Sequence, residues 1–177
     1  MTRSLQSIGK QSSNTHSGLK QLCTLKRVNS VLWQLTRFKQ AGGSQEKLLM
    51  FYILKIRSIL MFGAVCFHSS LSPDQRSRLE QHQKRSLAII LGSDYRSYEQ
   101  ARTLTNLPEL DQLRAEACQI WALKAKASQK HTHLFPLNTS QVVTRHRQKF
   151  KEPLCKTARY YKSTVPSMIR ILNKTRQ

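Results

Sequence analysis

Glu109 and Asp111 stand one residue apart, and a carboxylate pair of that kind can hold a divalent metal. Both follow Pro108 at the expected start of a helix, where acidic side chains are stabilised by the positive end of the helix dipole. Helix initiation is therefore the role expected of them. Cys118, His131 and His133 give a Cys–x12–His–x–His spacing. A zinc finger needs two close ligand pairs and this set supplies one, so the histidines are expected in a polar loop. The chain has no Gly-rich phosphate loop, no Gly-x-Ser-x-Gly elbow, no Asp-Asp pair and no His-x-Asp pair to begin an iron facial triad. Its 9 acidic residues, mostly at helix starts, are few for two-metal phosphoryl transfer. No catalytic residue, metal site, cofactor or small-molecule substrate is expected.

The basic residues carry a different chemistry. Arg145, Arg147, Lys149, Lys151, Lys156, Arg159 and Lys162 alternate with Phe150, Tyr160 and Tyr161. Cationic side chains neutralise phosphates, and aromatic rings offer faces to unpaired bases. The competing role for these aromatics is to anchor an extended tail onto helices. Arg78, Lys84 and Arg85 add three cations on a helix further upstream. These ten basic residues are the candidate nucleic-acid contacts.

Helices must position them. Leu25, Val28, Leu32, Leu35 and Phe38 recur at steps of three and four, the stripe of an amphipathic helix. Ala41-Gly42-Gly43 ends it. A helical hairpin follows, over about 44–62 and 73–91, against which the rest is expected to pack. Ser44 and Glu46 suit the start of its first arm. Ser72 as N-cap, Pro73 at the first helical position and Gln75 three residues past the cap give the second arm a capping box, and Gly92 ends it. Leu79, Leu87, Ile90 and Leu91 fall on its buried face, with Arg78 and Arg85 opposite. Ser97 with Gln100 caps a short helix over 98–105. A helix then runs from Glu109 to about Lys130, with Leu110, Leu113, Ala117, Ile120 and Trp121 as its buried stripe. From Leu137 the chain reads as mostly irregular, closing with a helix over 166–173.

The sequence of 177 residues carries 30 Lys+Arg against 9 Asp+Glu, a net charge of +21. Residues 1–40 hold seven basic and no acidic residues, and residues 139–177 hold ten and one. The intervening chain is nearer balance, as in an ordinary folded domain. This points to a non-specific RNA or DNA partner. The expected organisation is a disordered lead-in (1–21), a helical domain (22–138) and a basic tail (139–177). The four cysteines lack paired spacing and the first 20 residues are polar, so reduced thiols in the nucleus or cytoplasm are expected. Leu48 to Phe67 is long enough to span a bilayer, but Lys55 and Arg57 sit mid-stretch at roughly 2.5–3.5 kcal/mol each. A buried core helix, with no membrane partner, is expected instead.

The order of motifs adds a resemblance. Phe51-Tyr52, Arg57-Ser58-Ile59-Leu60, Phe67-His68-Ser69-Ser70-Leu71, the run Gln83 to Gly92, Tyr95 with Ser97 to Ala101, and Asn106-Leu107-Pro108 occur in one order. Phe135-Pro136-Leu137-Asn138, Arg159-Tyr160, Val165-Pro166 and Leu172-Asn173 continue it. This series resembles the region after the palm in reverse transcriptases of non-LTR (LINE-type) retrotransposons, from about Leu25 to Asn173. The resemblance implies a helical thumb and C-terminal extension that grip the template–primer backbone. The family's carboxylates lie in an aromatic-Ala-Asp-Asp motif upstream, and that motif is absent here, so no catalytic role carries over. The family has Trp where Phe67 stands, and a short basic-polar lead-in where this chain has its first 20 residues, as a truncated or re-initiated copy would. The hairpin is also similar to a stretch named after the N-terminal segment of AlkB-type alkylated-DNA repair proteins. The ligands for that chemistry are missing.

The expectation is therefore an all-α, small helical bundle with a disordered N-terminus and an extended basic tail. It is read as a truncated, catalytically inactive reverse-transcriptase fragment that retains nucleic-acid backbone binding. The alternative is a helical protein-interaction module.

Overall fold

The computed structural model describes residues 12–139 and 149–175, with backbone alone for 12–25. In chain order the elements are α1 (Ser12–Gln40), α2 (Gln45–Phe51), a π-helical stretch (Tyr52–Arg57), α3 (Ser58–Met61), α4 (Ala64–Phe67) and a 3-10 turn (His68–Ser70). Then come α5 (Pro73–Leu91), a 3-10 turn (Gly92–Asp94), α6 (Tyr98–Thr105), α7 (Leu110–Ala127), a 3-10 helix (Gln129–Leu134), α8 (Ala158–Tyr161) and α9 (Thr164–Lys174). The fold is all-α. Among the described residues the β-type pairing is one antiparallel bridge, Leu137 to Phe150. Of the expected lead-in, residues 1–11 lie outside the described residues and 12–21 form the first turns of α1.

The chain divides into two compact units. One comprises residues 1–62 and 82–106, the other 63–81 and 107–177. Helix α5 thus gives its first half to one unit and its second half to the other.

In the first unit α1 buries Val28, Leu32 and Leu35. From α2 to α3 the buried residues are Leu48, Tyr52, Ile56 and Leu60, at steps of four. An α-helix turns about 100° per residue, so each four-residue step overshoots a full turn by about 40°. The π-helical stretch holds more residues per turn and absorbs that drift, which keeps the four side chains on one face. The second half of α5 adds Gln83, Ser86, Leu87, Ile90 and Leu91. Its end is sealed by Lys39, whose Nζ donates to the Ile89 carbonyl at 2.5 Å. That is a cation placed on the negative pole of a helix. Tyr52 Oη donates to Gln83 Oε1 at 2.6 Å, and Gln83 Nε2 donates to Tyr98 Oη at 2.9 Å. This chain of bonds ties the π stretch, α5 and α6 together.

The capping box of α5 is complete, and α6 carries the serine cap expected of it. Ser72 N–H donates to Gln75 Oε1 and Gln75 N–H donates to Ser72 Oγ, at 2.9 and 3.2 Å. Ser97 Oγ accepts from the Gln100 amide at 3.2 Å. Ser44, by contrast, makes no side-chain cap bond.

In the second unit α7 packs on α4 and α9. The core joins Ala122, Ala125, Phe135, Phe150, Met168, Ile169 and Leu172. Small residues on α7 let α9 approach closely. The expected α7 stripe is corrected here. Leu110 is buried and Leu113 and Ala117 are half-buried, but Ile120 and Trp121 are exposed, and Arg114, Cys118, Ala122 and Ala125 take the remaining buried positions. Apolar residues surround this helix, so periodicity alone admits more than one inward face. In the second half of α7, against α9, close packing selects the face with the small side chains Ala122 and Ala125.

The chain beyond Leu137 is more than a tail. Phe150 packs edge-on to Phe135 with centroids 6.3 Å apart. Asn173 brackets the Phe150 backbone, accepting from its N–H at 3.0 Å and donating to its C=O at 3.1 Å. Helix α9 buries Pro166, Met168, Ile169 and Leu172.

By length and composition alone, Gln45–Ser70 is long and apolar enough to cross a membrane. Its helical path breaks at Phe62 (ψ 122°) and Gly63, which holds a left-handed φ of +67°. Lys55 is exposed within it.

Candidate nucleic-acid interface

Eight of the ten basic residues fall into three local settings. On α5, Arg78, Lys84 and Arg85 are all exposed. Arg78 belongs to the second unit, and Lys84 and Arg85 to the first. Lys84 Nζ stands 5.0 Å from the Tyr98 ring centroid, and the Arg102 guanidinium stands 5.5 Å from the same ring. Tyr98 is thereby a half-buried ring bordered by two cations.

In the second unit Lys149 and Lys151 flank buried Phe150 and are both exposed. The backbone here is pinned twice more. Asn138 N–H donates to Lys149 C=O at 3.0 Å, and Lys151 N–H donates to Pro136 C=O at 2.8 Å. These lysines therefore extend from a fixed frame. Phe150 itself is 4 % exposed, so it anchors the chain and offers no face for stacking. Lys126 Nζ lies 5.8 Å from its ring.

The third setting is α8. Thr157 Oγ1 accepts from the Tyr160 amide at 3.2 Å and starts the short helix. Lys156, Arg159 and Lys162 are exposed around it, with Tyr160 and Tyr161. Arg145 and Arg147 lie outside the described residues. Arg170, absent from the sequence-derived set, stacks over Tyr161 at 3.8 Å. Its signal was an arginine inside the otherwise apolar run Met168 to Leu172, where a cation needs a surface role.

A second cluster also escaped the sequence. Arg114 is fully buried, and its Nη2 donates to Asp111 Oδ1 at 3.3 Å. Arg76 Nη1 donates to Asp111 Oδ2 at 3.2 Å, and Arg76 Nη2 donates to the His68 carbonyl at 3.3 Å. Asp111 does stand in the first turn of α7, as expected, but it also holds two arginines. The Leu110 amide donates to Glu80 Oε1 at 3.3 Å, so α5 supplies a carboxylate to the same helix start. Burial, reinforced by the Arg76 charge, pulls the His68 pKa below its ordinary value. Burial and then Arg85 do the same to His82, while burial raises the Cys118 thiol. Among the described residues no group of three His, Cys, Asp or Glu side chains could hold a metal ion. His131 sits instead beside Trp121, with centroids 6.1 Å apart.

The arrangement can bind anions: from Lys149 to Thr175 there are seven basic residues and one acidic residue, Glu152. No family model, curated protein or solved structure matches the chain.

Proposed function

We propose that this chain is a catalytically inert, thumb-like helical region, similar to that of non-LTR retrotransposon reverse transcriptases, that holds a nucleic-acid backbone without reading its sequence. The observation that carries the proposal is the exposure of Arg78, Lys84, Arg85, Lys149, Lys151, Lys156, Arg159 and Lys162 on a chain of net charge +21. The ordered motif series supports the family, and several of its members have clear structural work: Tyr52, Gln83 and Tyr98 share one bonded chain, and Asn173 secures Phe150. The palm motif is missing from these 177 residues, so the proposal assigns no bond-making step.

Phosphate contacts release counterions, so affinity must fall with salt in proportion to their number. About five simultaneous contacts give a log–log slope of about −4.5 on duplex DNA. Filter binding of the full chain to a generic duplex between 50 and 200 mM salt measures it (both concentrations are of the order used for such titrations). A slope near zero, or no retention at the lower salt, removes the proposal.

A further inference from the structure

We propose that the turn carrying α8 binds a single-stranded nucleic acid, with an unpaired base stacked at Tyr161. This rests on the backbone-binding reading above and narrows it. Three successive carbonyls of the turn are occupied. Tyr160 C=O accepts from Ser163 Oγ at 2.7 Å, Tyr161 C=O from Arg170 Nη2 at 2.7 Å, and Lys162 C=O from Ser69 Oγ and Ser70 Oγ at 2.8 and 3.0 Å. Thr164 Oγ1 adds a bond to the Cys66 carbonyl at 3.1 Å. The backbone is committed to the protein, and the side chains are left to face solvent.

Those side chains are of two kinds. Tyr160 and Tyr161 keep 46 % and 49 % of their area exposed. Arg170 stacks on the Tyr161 ring and also donates to Ser167 Oγ at 3.0 Å, so the ring is held before any ligand arrives. Lys156, Arg159 and Lys162 are exposed nearby in the chain, and no carboxylate occurs between Pro153 and Thr175. Cations alone would take any polyanion. Exposed rings among cations favour one whose flat faces are open, and in a duplex those faces are stacked on each other. An acidic polypeptide would satisfy the cations and leave the tyrosines without a counterpart.

The test is anisotropy of the full chain with a labelled single-stranded oligothymidylate and a labelled hairpin duplex of equal phosphate count. The single strand is expected to bind more tightly. Tyr161→Ala is expected to weaken it by about five- to a hundredfold, the loss of one stacked base, and to leave the duplex within about twofold. Tyr161→Phe keeps the ring and the affinity. Tyr161→Leu keeps apolar bulk without a planar face and falls with the alanine variant, which separates stacking from folding. Equal binding of the two probes, or an unchanged single-strand affinity in both the alanine and leucine variants, overturns the stacking site while leaving backbone binding in place. Failure of both probes to bind at low salt overturns both readings. Poly-glutamate displacing the labelled strand as well as unlabelled oligothymidylate does, charge for charge, overturns the nucleic-acid assignment in favour of an acidic protein.

Discussion

At Arg114 a guanidinium lies fully buried, with Asp111 as its partner and with Nε and Nη1 finding no acceptor among the described residues. Taking a charge out of water costs several kcal/mol, and one carboxylate shared with Arg76 offsets only part of that. The pair therefore positions α7 more than it stabilises the unit. Two outcomes follow from this. Asp111→Asn leaves a buried charge without its counter-charge and should destabilise toward the lower end of about 3–5 kcal/mol, since Asp111 is itself partly solvated. Arg114→Met removes the charge as well and should stay within about 1.5 kcal/mol of the parent. Urea titration by far-UV circular dichroism measures both, and an Arg114→Met loss as large as that of Asp111→Asn would show the ion pair to be a net source of stability. Neither the cluster nor its burial was legible in the sequence. Arg76, Asp111 and Arg114 each look like ordinary surface residues on their own helices, and only tertiary packing brings them together.

Among the elements, α5 was the most legible because its signals are local. Ser72, Pro73, Gln75 and Gly92 specify both ends within a few residues, and the helix runs from Pro73 to Leu91 as expected. Ser72→Ala should cost about 1 kcal/mol of stability by thermal melting, while Ser44→Ala, which loses no cap bond, should change little. Equal losses for the two would mean that Ser72 acts through something other than its cap. Helix α7 was legible in extent and misread in facing. Its apolar residues form no single stripe, and the competition between faces is decided by how closely α4 and α9 can approach. The spacing of Leu48, Tyr52, Ile56 and Leu60 did hold a readable clue to the π-helical stretch. Steps of four sustained over a dozen residues fit a wider turn better than a regular α-helix. The caps of α2 and α7 show the limit of motif reading. Ser44 is a good cap residue that makes no cap bond, and the α7 start is served by Glu80 from another helix.

For the whole molecule, the all-α class was written in the helical periodicities, and the basic surplus was visible in a count. The division between anchors and contacts was not. In the sequence Phe150 could equally stack on a base or anchor the chain, and tertiary packing made it core. Two histidines now acquire a joint significance. His68 lies in one unit and His82 in the other, each with Nδ1 buried and lacking a hydrogen-bond partner. Both have folded-state pKa values below the unfolded reference of about 6.5. Opening either unit therefore takes up a proton once the medium is acidic enough. Their contribution is complete above about pH 6.5 and is lost as pH falls through the folded values. Urea midpoints should drop between about pH 7.5 and 5.5, ahead of most carboxylate titration, and the double replacement His68→Gln with His82→Gln should flatten that drop. A midpoint that holds steady or rises on acidification would contradict this. Mild acid is thus expected to loosen the two units by one and the same route, the protonation of an imidazole whose Nδ1 has no hydrogen-bond partner among the described residues.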